Sequence, residues 1–394
     1  MSTTGRPAEA APADSVAAAV RDAGFVRIVA RADGDALAAT GLLAGALRDA
    51  GVPFQAGVAR TDGDAARRFE DADGHPLAVG VDAPDATTLA RDDGPASATA
   101  FEVARELGTD PGPVLALAGA FAAGQRPGEG ETAHLLEAAT EADRVERRPG
   151  VVVPTADLAD GLAHSTLVHA GFSGRPDNAE ELVADARAGA EEEADDAATT
   201  PLETESGRRR LASLVAVETA GGDDATGRAA LAIERTLCPH ATPDGPFATV
   251  GGYADVLGAL AAERPGAGVA LALGGDSREA ALDTWRDHAK RAHEGLREAT
   301  TGRYDGLFVA RVADAPVGTT ARLLADFRSP EPAALVVTDG EAAVVAHPDV
   351  AAPTDPLRAA TASLGGDASV GPRDGYAAFD GDADAFVTAF REEA

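Results

Sequence analysis

Two aspartates one residue apart, Asp33 and Asp35, stand where an apolar run meets a helical segment, in the string Arg31-Ala32-Asp33-Gly34-Asp35-Ala36-Leu37. Carboxylates so spaced can project from one turn toward a shared divalent cation, and hard oxygen ligands suit Mn²⁺ or Mg²⁺. In a second reading one of them caps the helix that follows, its oxygen taking a free backbone N–H. A further carboxylate, Asp82, closes the apolar run Val79-Gly80-Val81. His164 and His169 lie five residues apart beside Asp160, Ser165 and Thr166. That spacing does not put two imidazoles on one helical face, and no Gly-x-Ser-x-Gly elbow accompanies them. They are read as loop or cap residues, in a segment able to fold back over a site in the first domain.

Other segments offer less. Trp285-Arg286-Asp287-His288-Ala289-Lys290-Arg291-Ala292-His293 is the most basic helical stretch. It suits either a nucleic-acid groove with an aromatic platform or a helix laced with ion pairs. Arg208-Arg209-Arg210 can contact phosphate or balance Glu203 and Glu205. The turn Leu273-Gly274-Gly275-Asp276-Ser277-Arg278 reads as a strand-to-helix connection whose amides could take an anion. Without Gly-x-Gly-x-x-Gly or a Walker lysine, it gives no support to a nucleotide cofactor.

The elements that must hold the Asp33 segment are legible from periodicity. Residues 25–30 form a β-type run, 36–50 a strong helix closed by Gly51, and 52–58 and 76–81 two further strands. Strand, helix and strand with short connections imply a parallel, doubly wound α/β sheet. Carboxylates at the carboxyl end of such a strand lie where open α/β sheets place ligands. Helices follow at 96–107 and 113–123, the second apolar on nearly every side, with a short strand at 151–154. Acidic residues crowd 180–200, so a boundary is expected near 197–206. The division is then a flexible tail at 1–14, an N-terminal α/β domain with helical extension at 15–200, and a second, smaller α/β domain at 201–394. In the latter, strands are expected at 211–217, 269–273, 306–312, 333–338 and 342–347, and helices at 227–237, 252–263, 277–300 and 382–392.

Composition narrows the partners. The 394 residues carry 65 acidic and 34 basic side chains, a formal charge of −31, with Lys290 the one lysine. This excludes a generally basic nucleic-acid coat, which needs clustered Lys and Arg. Hydrophobic content of 45% makes the chain globular rather than an acidic disordered tail. Scarce lysine, abundant Asp and Glu and 4% aromatic residues are the composition of an extreme halophile's proteins. In molar salt the Debye length is about 3 Å, so the acidity forbids only long-range attraction to DNA. The lone Cys238 rules out a disulfide framework and reads as a small buried residue. With neither a leader nor a long apolar stretch, a cytoplasmic protein without membrane contact is expected.

The layout of strand, Asp33-Gly34-Asp35-Ala36-Leu37-Ala38-Ala39 and helix resembles the first motif of the DHH phosphoesterase superfamily, His-x-Asp-x-Asp-Gly. Asp33 and Asp35 match it, while Arg31 stands for the His and Ala36 for the Gly. Val79-Gly80-Val81-Asp82 resembles the second motif, and Gly94-Pro95-Ala96-Ser97 the helix start after the third. The Asp-His-His triplet itself is missing, and residues 77–132 contain no histidine. The fourth motif's helix, 115–124, lacks its carboxylate. Gly371-Pro372-Arg373-Asp374-Gly375 sits like the Gly-Gly-His-x-x-Ala-Gly-Gly loop of the associated substrate-binding domain, again without its His.

The resemblance implies a RecJ-like, DHH-type parallel sheet followed by a smaller substrate-binding domain, in a protein of DNA replication or repair. By the same resemblance Asp33, Asp35 and Asp82 would be catalytic and metal-holding, Arg31, Arg373 and Gly375 substrate-binding, and the cofactor Mn²⁺ or Mg²⁺. Two-metal hydrolysis needs more ligands than three carboxylates, and a fixed cation at Arg31 repels metal. The expectation is a single-strand exonuclease homologue with a degraded site, weak or without nuclease activity and then without cofactor. The alternatives are a non-catalytic replisome scaffold that binds helicase-associated proteins, or a phosphoesterase of small oligonucleotides. Single-stranded nucleic acid and replisome proteins are the corresponding partners.

Overall fold

In the computed structural model, which describes residues 11–70, 73–89, 94–193, 200–222 and 225–393, helix α1 (Ala13–Arg21) leads into strand β1 (Val26–Arg31). Val26, Ile28, Val29 and Ala30 are all buried, as befits a central parallel strand covered on both faces. Its neighbours are β2 (Phe54–Ala59) and β3 (His75–Val79), and β4 (Thr87–Leu89) pairs with β3, every pair parallel, in the order β2-β1-β3-β4. Helix α2 (Gly34–Asp49) joins β1 to β2, and α3 (Asp62–Phe69) joins β2 to β3. The faces are covered unequally. α2, α4 (Ala96–Glu106) and α5 (Pro113–Ala122) pack together over one, while short α3 and a small cluster around Val29, Ala65 and Ala78 serve the other.

The three-helix contact is close. A Cβ on Gly119 of α5 would lie 2.6 Å from the Cβ atoms of Ala38 and Ser97, so the small residues of the 113–123 segment exist to let α5 touch α2 and α4. Helix α6 (Ala133–Glu141) and a two-residue ribbon, β5 (Glu146–Arg147) with β6 (His240–Ala241), bracket a helical middle. It comprises α7 (Leu158–His164), α8 (Pro176–Glu193), α9 (Glu205–Ala220) and α10 (Gly227–Glu234), and continues after β6 with α11 (Val250–Glu263), α12 (Pro265–Ala272) and α13 (Arg278–Glu298).

Several expected elements change type here. Residues 211–217 are not a strand but part of α9. Its buried positions Gly207, Leu211, Val215 and Thr219 recur every four residues, and the Thr204 hydroxyl caps the Gly207 N–H at 3.0 Å. Residues 269–273 are likewise no strand: Pro265 opens α12, which runs to Ala272. A short apolar run carries no periodicity that separates a strand from a buried helix. The turn at 273–278 therefore joins two helices, not a strand and a helix. Only an isolated bridge, Val151 to Leu237, stands for the strand expected at 151–154. Cys238 is exposed, not buried, at φ +54°.

The core does not respect the middle of the sequence. Phe247, Tyr253, Leu257 and Trp285 join one hydrophobic cluster with Val26, Leu37 and Leu117, so α11 and α12 complete the packing over α2, with α13 against α11. Of the expected boundary, residues 197–199 lie outside the described residues, as do residues 1–10 of the expected tail; Ala13 and Asp14 already belong to α1.

The second sheet holds β7 (Thr300–Tyr304), β8 (Leu307–Arg311), β9 (Ala333–Val337), β10 (Glu341–Ala346), β11 (Asp367–Val370) and β12 (Asp374–Ala378), ordered β11-β12-β10-β9-β8-β7. Only β8 and β9 run parallel. Alternation divides β9: Ala334 and Val336 face α14 (Val317–Leu323), while Leu335 and Val337 face Leu357 of α15 (Thr354–Ser363) and Phe386 of α16 (Ala383–Glu393). The whole is mixed α/β, a four-stranded parallel sheet and a second sheet domain. Among the described residues no helix is long and apolar enough to cross a membrane.

Candidate functional site

The carboxyl edge of the parallel sheet carries Arg31 at the end of β1 and Asp33 just past it. Asp33 is extended, φ −141° and ψ 166°, and its carboxylate accepts the Ala36 N–H at 2.8 Å, an N-cap of α2. Asp35, one residue into α2, turns the other way. Its two oxygens accept the Ala96 N–H at 2.7 Å and the Ser97 N–H at 3.0 Å, so it caps α4, some sixty residues along the chain. The two aspartates thus serve different helix termini.

Electrostatics follow from burial. Asp35 is 2% exposed, and its carboxyl is pushed up to about 7, by burial first and then by the Asp33 charge, with the Ser97 and Ala96 donors opposing. Asp33 is raised by burial, against the Arg31 guanidinium. Arg31, itself 6% exposed, places Nε 3.7 Å from Asp33 Oδ2 and an Nη 3.0 Å from Asp374 Oδ1. Burial alone would lower the guanidinium's pKa; Asp374 and Asp33 more than offset it. A fixed cation therefore lies between carboxylates where the sequence suggested a metal.

Asp82 is exposed beyond β3, and its N–H donates to Asp62 Oδ1 at 3.4 Å. Among the described residues no group of three or more His, Cys, Asp or Glu side chains is placed to hold a metal ion. Arg373 is exposed and reaches Gly124, at the end of α5. Gly375 is buried in β12, where a Cβ would lie 2.5 Å from Leu357 Cδ2, so its smallness answers to packing against α15.

The histidines go elsewhere. His164 pairs with Asp160 at 3.1 Å and sets its ring edge-on to Trp285. His169 stacks on His293 with 3.0 Å between their Nδ1 atoms. His293 Nε2 donates to the Ser165 carbonyl at 3.0 Å, so its Nδ1 accepts the proton of His169. Both rings are neutral: burial, then Arg297, Arg328 and Arg175, push His169 down to about 3, and burial takes His293 well below its ordinary value. Trp285 is no stacking platform. It is fully buried, its Nε1 donating to Asp255 at 2.9 Å. The basic stretch is instead laced with ion pairs, Arg286 to Asp160 and Asp283, each at 2.9 Å, and Arg291 to Glu263. Arg209 pairs with the Glu205 carboxylate, while Arg208 donates to the Glu203 backbone carbonyl.

Sequence reasoning passed over three groups. Asp374, at the start of β12, binds Arg31 across the two sheet regions. Buried Asp255 also binds the Thr166 amide and hydroxyl. His288 bridges Glu263 and Thr319 at 2.8 Å each, a hydroxyl, imidazole and carboxylate in relay order; at 1% exposure it ties α11, α13 and α14 together. Each partnership spans 25 residues or more, beyond any local motif.

Three comparisons bear on this arrangement. The family described as uncharacterized protein rrnAC1427, C-terminal domain, matches residues 299–392, the second sheet with its helices. Uncharacterized protein rrnAC1427 of Haloarcula marismortui is 49% identical over 397 residues, spanning all of both chains. Among solved structures, CDC45 from Entamoeba histolytica superposes with a TM-score of 0.60 at 8% identity, covering 96% of this chain and 98% of that one. RecJ of Thermus thermophilus in complex with Mn²⁺ gives 0.45 at 16% identity, over 97% of this chain and 53% of its own. The fold is shared with CDC45 over nearly the whole length of both chains.

Proposed function

This chain belongs to the family of uncharacterized protein rrnAC1427, and we propose that it is a non-catalytic member of the DHH phosphoesterase superfamily, a scaffold in DNA replication rather than a nuclease. One observation carries the reading: the carboxylates that would grip metal are already engaged. Asp35 spends both oxygens on the amides of α4, and Asp33 is shared between its own helix and Arg31. Recruiting them would uncap two helices at the centre of the first core and bring a dication within contact distance of a guanidinium. The likeness to CDC45 over nearly the whole of both chains supports a scaffold, as does the packing of α11 and α12 on α2 with α13 on α14 of the second sheet region. A partner would be another replisome protein. DNA contact, if the scaffold makes any, would be short-range, because a chain with one lysine gains little from counterion release in molar salt.

Isothermal titration of the full chain with Mn²⁺ in molar potassium chloride tests this, with single-stranded DNA degradation assayed beside it. The expected result is no saturable heat at the Asp33 and Asp35 locus and intact DNA. Mn²⁺-dependent degradation that Asp35→Ala abolishes would overturn the scaffold and restore the nuclease.

A further inference from the structure

The turn between β11 and β12, with Asp374 at the start of β12, meets the carboxyl edge of the parallel sheet, where open α/β sheets ordinarily take their ligand. Asp374 reaches the Arg31 guanidinium at the end of β1, and a Cβ on Gly124, beyond the last turn of α5, would lie 3.4 Å from an Nη of Arg373. The carbonyl end of a helix favours a cation there. Two further contacts flank the loop. Arg60, past the end of β2, binds Glu341 at 3.0 Å on the oxygen that also accepts the Tyr376 hydroxyl at 2.7 Å. Arg358 of α15 stands 3.7 Å from Asp62 at the start of α3. The ends of β1 and β2 and the starts of α2 and α3 are thus each met by a charged group of the second sheet domain, or by a group bound to one.

We propose that residues 371–375 form a built-in clasp, closing the cleft between the parallel sheet and the second sheet domain so that it does not admit a nucleotide strand. The pairs differ in what they withstand. The side chains of Arg60 and Glu341 are 49% and 39% exposed, and Arg358 is 48% exposed against 20% for Asp62, so in each pair the guanidinium lies open to solvent and molar salt weakens the contact. Arg31 retains 8% of its side-chain surface and Asp374 35%. Their contact persists in concentrated salt and holds the clasp under the conditions this acidic chain is built for. Arg31 thereby acquires a function, drawing in the opposite domain where a metal ligand would have drawn in substrate. The inference rests on the proposed reading only in taking the Arg31 locus to be free of metal.

Hydrogen exchange of the full-length protein in molar potassium chloride tests the clasp, reading peptides across 371–378 and, as a check on the fold, peptides across α2 and α4. Asp374→Asn and Arg31→Gln should each speed exchange across 371–378 by about tenfold or more, and the double variant should go no faster than the faster single one. Asp384→Asn, which breaks the Arg311 pair at 2.7 Å elsewhere in the second domain, should leave that segment unchanged. Unaltered exchange in Asp374→Asn, or effects of the two substitutions that add, would overturn the clasp. Saturable Mn²⁺ uptake would overturn the scaffold yet leave these rates as they are, so the two failures can be told apart.

Discussion

Asp35 is a buried carboxyl whose acidity is weakened by its surroundings while two amides work to keep it charged. Its value of about 7 lies above the unfolded one of about 4, so between those pH values the folded chain holds a proton that the unfolded chain has lost. Stability from this group is therefore greatest at the acid end of the window and declines as pH rises, at up to about 1.4 kcal/mol per pH unit. With 65 acidic residues other slopes are superimposed, so the measurement is a difference. Urea midpoints at pH 5 and pH 7.5 are compared for the wild type and Asp35→Asn, and the variant should lose this component. An equal pH response in both proteins would assign the slope to other carboxylates. The buried His169 and His293 add a slope of the opposite sign, because they stay neutral in the folded chain while the unfolded chain protonates them below about 6.5, and the comparison with Asp35→Asn cancels that contribution.

At the scale of elements, the first core depends on how near α2, α4 and α5 approach. Two effects oppose each other at Gly119. Alanine is the better helix former by about 1 kcal/mol, yet its methyl would sit 2.6 Å from both Ala38 and Ser97. Overpacking of this kind costs about 1–3 kcal/mol, and it falls on the contact that also seats the cap of Asp35 on α4. Gly119→Ala should therefore lower the urea midpoint with an unchanged slope, although the same change on an exposed helix face would raise it. The element that departed most from its sequence reading, α9, shows why context decides. Leu211 to Val217 holds enough β-branched and aliphatic residues to pass for a strand. What makes it a helix is the i, i+4 recurrence of Gly207, Leu211, Val215 and Thr219 toward the core, visible only once the stretch is read from Thr204 onward.

For the molecule as a whole, charge sets the terms. A formal charge of −31 on 394 residues repels itself, and concentrated salt relieves that by shortening the Debye length from about 10 Å at 0.1 M to about 3 Å at 1 M. Thermal unfolding followed by circular dichroism should show the midpoint falling steadily as potassium chloride is lowered from about 3 M to 0.1 M. A midpoint that holds or rises in dilute salt would refute the halophilic reading of the composition. The same screening ranks the ion pairs across the cleft, leaving the sheltered Arg31 contact as the one that matters in strong salt. The fold itself answers to apolar burial: α11 and α12 pack on α2, α13 packs on α11 and on α14, and the two sheet regions become parts of one structure.

The sequence alone determined the parallel β1, β2 and β3 arrangement and the helix after Asp33, because apolar periodicity and short connections are local properties. It also determined the acidity and the absence of the Asp-His-His triplet. Tertiary structure decided what the carboxylates do. Capping of the following helix by Asp33 was within reach of a local reading, three residues away. Capping of α4 by Asp35, burial of Trp285 on Asp255 and capture of Arg31 by Asp374 were not. Those partnerships join groups 30 to 343 residues apart, and only the packing of sheets and helices sets such distances.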